Sequence, residues 1–148
     1  MSVEKFASIF EGLRVAYGYF KIEKQGANGK QSGTAGVVRE EPTLELFKEH
    51  LAGNGRGLGI IPINENDSCK WGCIDIDQYP LDHAELIKKI RSLKLPLVIC
   101  RSKSGGAHCF LFSNEWVSAK DMQKALKNMS SALGFGESEI FPKQIKLH

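Results

Sequence analysis

The stretch Cys73-Ile74-Asp75-Ile76-Asp77 and the later run Arg101-Ser102-Lys103-Ser104-Gly105-Gly106-Ala107-His108 decide how this chain reads. The first has strand alternation, so Asp75 and Asp77 project to one face while Ile74 and Ile76 project to the other. Two carboxylates that close repel each other unless something positive lies between them, and a divalent cation with oxygen ligands is the usual solution. A strand end whose aspartates run out into solvent is the plainer reading, and the stretch alone leaves both open. In the second run, Leu97-Val98-Ile99-Cys100 and His108-Cys109-Phe110-Leu111-Phe112 flank a Ser104-Gly105-Gly106 turn. Glycines let backbone amides approach an anion, and Arg101, Lys103 and His108 surround the turn with donors. An ordinary hairpin with a polar tip uses the same residues. A basic glycine turn beside paired carboxylates suits a nucleoside triphosphate and its metals.

Working outward, Lys70 to Asp77 reads as a strand. Asp82 to Leu93 follows as a helix with Leu86, Ile87, Ile90 and Leu93 on one face. Leu97 to Arg101 and Ala107 to Phe112 are strands, and Ser118 to Leu133 is a helix opened by a serine cap. Glu139 to Phe141 starts a last strand. The order β-α-β-β-α-β is the ferredoxin-like unit, with its first and third strands central, its fourth beside the first, both helices on one face and the other face open. On that topology Asp75, Asp77, His108, Phe110, Glu139, Phe141 and Lys143 fall on matching parity.

Upstream, Phe6, Ile9, Phe10 and Leu13 predict a helix over Val3 to Leu13, and Val15 to Ile22 predicts a strand. Gly26-Ala27-Asn28-Gly29 marks a turn, with a return strand near Gly33 to Val38. Thr43 opens a helix that ends before Gly53. The glycine-rich Gly53 to Gly59 lacks the lysine and hydroxyl of a phosphate loop and reads as a turn into a strand Ile60-Ile61-Pro62. Arg56 there reads as a solvated surface charge.

The 148 residues suffice for one compact domain and are too few for two ordinary ones. Hydrophobic content of 42% and charged content of 25% place the chain among soluble globular proteins. A net charge of +3 permits nucleic-acid binding without demanding it. No apolar run reaches membrane-span length and the N-terminus lacks a secretory core, so a cytoplasmic location is expected. Cys73, Cys100 and Cys109 fall in predicted core strands, which favours reduced, buried thiols over disulfides. Cys69, Cys73 and His108 match no common zinc spacing.

The Asp-Ile-Asp strand, the Ser-Gly-Gly-Ala-His turn and Glu139-Ile140-Phe141-Pro142-Lys143-Gln144 resemble the three signature motifs of the archaeo-eukaryotic primase superfamily. The likeness is nearest to the primase-polymerase domains of TOTE conflict systems and related phage or plasmid proteins, and runs from about Phe10 to the last residues. It implies an α+β fold: a ferredoxin- or RRM-like catalytic palm over residues 67–148 beside a small N-terminal α/β module over residues 1–66. Superfamily members continue past the third motif with more strand and helix, so the palm is expected to be shortened at its C-terminal end. The implied activity is template-directed, two-metal nucleotidyl transfer, making or extending DNA or RNA primers in replication or defence of a phage, plasmid or bacterium. Asp75, Asp77 and Glu139 would be catalytic ligands of Mg²⁺ or Mn²⁺, with Glu137 a weaker rival to Glu139. His108, Ser104 and the amides of Gly105 and Gly106 would hold the triphosphate, with Arg101, Lys103 and Lys143 as further nucleotide contacts. Expected partners are nucleoside triphosphates, a single-stranded DNA template or primer, and a helicase in cis or in trans, with no membrane.

Two other classes compete. A non-catalytic RNA-binding module shares the open sheet, but no RNP-type run is present. A rolling-circle nuclease needs a paired histidine motif and a tyrosine nucleophile, and His50, His83 and His148 give His108 no such partner.

Overall fold

Ile74 and Ile76, neither with exposed surface, anchor the core from the C-terminal end of a largely buried strand. In the computed structural model, which describes residues 1–27 and 31–148, that strand is one of eleven helices and strands. They are α1 (Val3–Ile9), β1 (Tyr17–Gln25), β2 (Gln31–Val38), α2 (Leu44–Leu51), β3 (Gly57–Gly59), β4 (Ser68–Ile76), α3 (His83–Ser92), β5 (Val98–Arg101), β6 (Ala107–Ser118), α4 (Ala119–Ala132) and β7 (Glu139–Phe141). The chain is α+β. A four-stranded sheet runs β5-β6-β4-β7, every pairing antiparallel, which is the order expected of the ferredoxin-like unit. A three-stranded sheet β2-β1-β3 precedes it. The turn expected at Gly26 to Gly29 lies, for Asn28 and Gly29, outside the described residues.

Leu86 and Ile90 of α3 and Met122 and Leu126 of α4 are buried together with Ile74, Ile76 and Cys109, so both helices cover the face opposite Asp75. Each helix starts on its own side-chain cap. Asp82 Oδ1 accepts from Glu85 N–H at 3.0 Å, and Ser118 Oγ accepts from Asp121 N–H at 3.1 Å.

The N-terminal half departs from the periodicity in two places. The first helix ends at Ile9 rather than Leu13, because Leu13 turns inward and donates its N–H to the Ile61 carbonyl at 2.8 Å. The strand expected at Ile60 to Pro62 lies instead at Gly57–Gly59, where it pairs with β1. Ile61 is taken up by Leu13, and Pro62 has no N–H to give a ladder.

The uncovered face of the large sheet is also less open than the topology implied. Phe10, at the end of α1, packs its ring 5.3 Å from Trp71, 5.3 Å from Phe110 and 5.5 Å from Phe112, centroid to centroid. Trp71 Nε1–H donates to the Glu11 carbonyl at 3.1 Å, and Lys70 lies 3.4 Å from the Glu11 carboxylate. The N-terminal segment therefore roofs the end of the sheet distant from the aspartates. Phe110 and Phe112 serve as packing supports, each against the Phe10 ring.

Candidate active site

β4 delivers Asp75 one residue before its end, with Asp77 just beyond. Antiparallel pairing places Asp75 opposite His108 on β6 and opposite Glu139 on β7, with Cys100 of β5 opposite His108. Directly opposed residues share a face at about 4.5–5.5 Å between Cβ atoms, so Cys100, His108, Asp75 and Glu139 form one row across the sheet. Val98, Phe110, Cys73 and Phe141 make the next row. The convergence expected of Asp75, His108 and Glu139 is present in the register.

Each acidic side chain of this row has a partner. His108 Nε2 lies 3.4 Å from Asp75 Oδ1, with the two side chains 42% and 27% exposed. Lys143 Nζ lies 3.0 Å from Glu139 Oε1 and 5.0 Å from the Phe141 ring centroid. The Tyr79 hydroxyl donates to Asp77. That bond, more than any other influence, raises the Tyr79 pKa above its ordinary value, and Ser104 acts in the opposite direction. Tyr79 thus stands between the carboxylate strand and the glycine turn, a position that its place in the sequence did not announce.

Two clefts meet at Asp75. One, of about 380 Å³, is lined by Asp75, Asp77, Glu137, Glu139 and the Gly134 to Ser138 loop. Glu137 therefore shares the acidic cleft with Glu139. The other, of about 470 Å³, has aromatic walls (Phe6, Phe10, Phe47, Trp71, Phe110) and reaches Asp75 and His108 at its floor. His50 stands on its rim, and the Leu58 N–H donates to its Nδ1 at 3.1 Å, which leaves the neutral ring's proton on Nε2. Neither the aromatic basin nor His50 was singled out from sequence, because α1, α2 and the large sheet assemble it from distant segments.

The glycine turn is a closed hairpin. Gly105 N–H donates to the Ser102 carbonyl, and Ser102 N–H to the Gly106 carbonyl, each at 3.0 Å. Gly105, at φ +93°, thereby spends its amide on the turn, and its part is to shape the loop. Lys103 reaches away from it, with Nζ 3.5 Å from the Phe20 ring centroid of β1, whereas Arg101 is exposed. Arg56, read as merely solvated, stacks 4.7 Å over Tyr19. On α3, Lys89 donates to the Leu133 carbonyl at 2.9 Å and so ties α3 to the end of α4, while Lys88 and Arg91 are exposed.

All four cysteines are free thiols. Cys73 and Cys109 are buried as expected and Cys69 is buried too, but Cys100, expected in the core, is exposed, because β5 is an edge strand and Cys100 lies on the face that bears no helix. Burial pushes the Cys69 and Cys109 thiols up to about 11 and raises Cys73 further, with Asp75 adding to the effect. These neutral thiols make poor metal ligands. Among the described residues, no three His, Cys, Asp or Glu side chains are gathered as a metal-holding group. The donor chemistry in the acidic cleft nonetheless fits a hard divalent cation: Asp75 and Glu139 are neighbours in register, Asp77 follows just past the end of β4, and all offer oxygen.

An antiparallel four-stranded sheet with two helices on one face and acidic, histidine and glycine-turn groups at one end of the other defines a palm-type α+β domain. The chain belongs to the archaeo-eukaryotic primase domain family of TOTE conflict systems, whose family model matches residues 3–144. No curated protein matches the chain. No helix among the described residues is long and apolar enough to cross a membrane.

Proposed function

We propose that this chain carries out template-directed nucleotidyl transfer, making or extending primers on single-stranded DNA. The observation that carries the reading is the register row Asp75–His108–Glu139, which brings two signature carboxylates and the signature histidine onto adjacent strands. Family membership supports the same class of reaction.

Asp75, Asp77 and Glu139 would hold divalent cations, Mg²⁺ or Mn²⁺. Such cations supply the clamp on the attacking 3′-hydroxyl and on the leaving pyrophosphate when bound. The rest of the work falls to the chain. His108, partly exposed beside Asp75, is placed to donate to a triphosphate oxygen, and Ser104 adds a hydroxyl from the turn. Arg101 adds positive charge at the end of β5. Lys103 and Lys143 are already engaged with Phe20 and Glu139, so their phosphate contacts require those partners to be exchanged. The aromatic basin beside His108 offers apolar walls to the nucleotide's base and sugar.

The test is primer extension and unprimed synthesis on single-stranded templates with Mg²⁺ or Mn²⁺. Product should form with the native chain and fall to background in the Asp75→Ala/Asp77→Ala variant. Nucleic-acid binding with no incorporation under any of these conditions would instead make the chain a non-catalytic, RRM-like binding module.

A further inference from the structure

We infer that His83 is a positioning residue that fixes the glycine turn, and through it His108, against the carboxylate strand. His83 is the first residue of α3 and is half-buried, with Nε2 2.8 Å from the Gly106 carbonyl oxygen. A carbonyl only accepts, so Nε2 carries the proton and donates. The same oxygen accepts from Ser102 N–H at 3.0 Å, and its two lone pairs are thereby both used.

The peptide held this way is the one on which the site's geometry turns. Gly106 is buried, and a Cβ there would lie 2.2 Å from the Ile76 carbonyl, so the turn's base is pressed against β4 between Asp75 and Asp77. Two residues further on stands His108, opposite Asp75. His83 itself opens the helix that follows the carboxylate strand. Its bond therefore closes a small loop: strand β4, the start of α3, the Gly106 peptide, and back to β4.

A merely structural role fits the surroundings poorly. α3 is capped by Asp82 without help from His83, and its hold on the core comes through Leu86 and Ile90. Removing the imidazole leaves the cap, those packing contacts and one of the two bonds to the Gly106 oxygen in place. What is lost is the tether between helix and turn.

The expected consequence for nucleotide binding rests on the nucleotidyl-transfer reading above; the tether itself does not. The experiment compares His83→Ala and His83→Gln with the native chain. It combines amide NMR of Ser102, Gly106 and Ala107, ring resonances of His108, and titration with a nonhydrolysable nucleoside triphosphate in Mn²⁺. His83→Leu, similar in bulk but without a donor, replaces the alanine variant if that proves unstable. Losing the donor should move the turn and His108 resonances and weaken nucleotide affinity by about five- to tenfold, the worth of one hydrogen bond. The glutamine variant should recover most of both, since its amide can donate. Provided that the native chain binds nucleotide, unchanged affinity in the donor-less variants would overturn the inference, as would unchanged His108 and turn resonances. If the native chain binds no nucleotide while the turn still loosens, the proposed function falls and the tether stands.

Discussion

Gly105 and Gly106 are adjacent in sequence and answer different physical needs. Gly105 sits at φ +93° in open space, where the nearest atom to an added Cβ is Arg101 Nη2 at 4.0 Å, so Gly105→Ala meets only backbone strain of about 1–2 kcal/mol. Gly106→Ala drives a methyl into the Ile76 carbonyl at 2.2 Å, a clash with backbone that no rotamer relieves. The cost should reach about 3 kcal/mol, the upper end for overpacking. Urea midpoints of the two variants give the order directly; an equal or larger loss at Gly105 would mean that the turn's base is not packed as described. The sequence showed that two glycines form a turn beside His108, but not that one answers to conformation and the other to space. His108→Ala is the complementary case. Its partly exposed ring contributes an edge contact to Phe110 and a solvent-facing pairing with Asp75, so stability should change by less than about 1 kcal/mol. Nucleotide affinity in Mn²⁺ should fall clearly, and unchanged affinity would remove His108 from the triphosphate site.

The palm elements were legible because their periodicity and their packing agree. β4 alternates where it carries Ile74, Asp75 and Ile76, α3 and α4 carry apolar stripes, and each of these helices begins on the capping residue that local chemistry favours. Once β-α-β-β-α-β was read, strand order followed from the topology. The N-terminal elements were less legible because tertiary contacts override their pattern. Phe10 has helical spacing with Phe6 yet ends the helix, since its ring is used on Trp71, Phe110 and Phe112. The bonds of Tyr79 to Asp77 and of His83 to Gly106 were equally hidden, because nothing in a run of residues reports a side-chain bond made after a turn. Phe10 joins the N-terminal helix to the large sheet, and Phe10→Ala should cost about 2–3 kcal/mol, somewhat below the loss for a fully buried aromatic. Urea unfolding followed by tryptophan fluorescence reads this directly, through Trp71. A loss under about 0.5 kcal/mol, the range of ordinary surface substitutions, would show that the N-terminal segment does not stabilise the palm.

At the scale of the whole molecule, the core that supports the site contains thiols as well as hydrocarbon. Cys69 and Cys109 have no exposed surface, and burial raises their ionisation from 9.0 to about 11. Below pH 9 both thiols are neutral in the folded and the unfolded chain, and the stability from their burial is complete. Between pH 9 and about 11 the unfolded chain gives up these protons while the folded chain keeps them. The unfolded state then binds fewer protons, so stability falls as pH rises through this window. Cys73, raised further still, adds to the loss in the same direction. Urea midpoints measured from pH 7 to pH 11 should therefore stay level at first and then decline from near pH 9. Other groups titrate at alkaline pH, so the comparison that isolates the thiols is the Cys69→Ala/Cys109→Ala variant. Its midpoint should start lower, because packing is lost, but should decline less steeply between pH 9 and 11. Parallel declines in the two proteins would show that these thiols do not govern the alkaline limit of the fold.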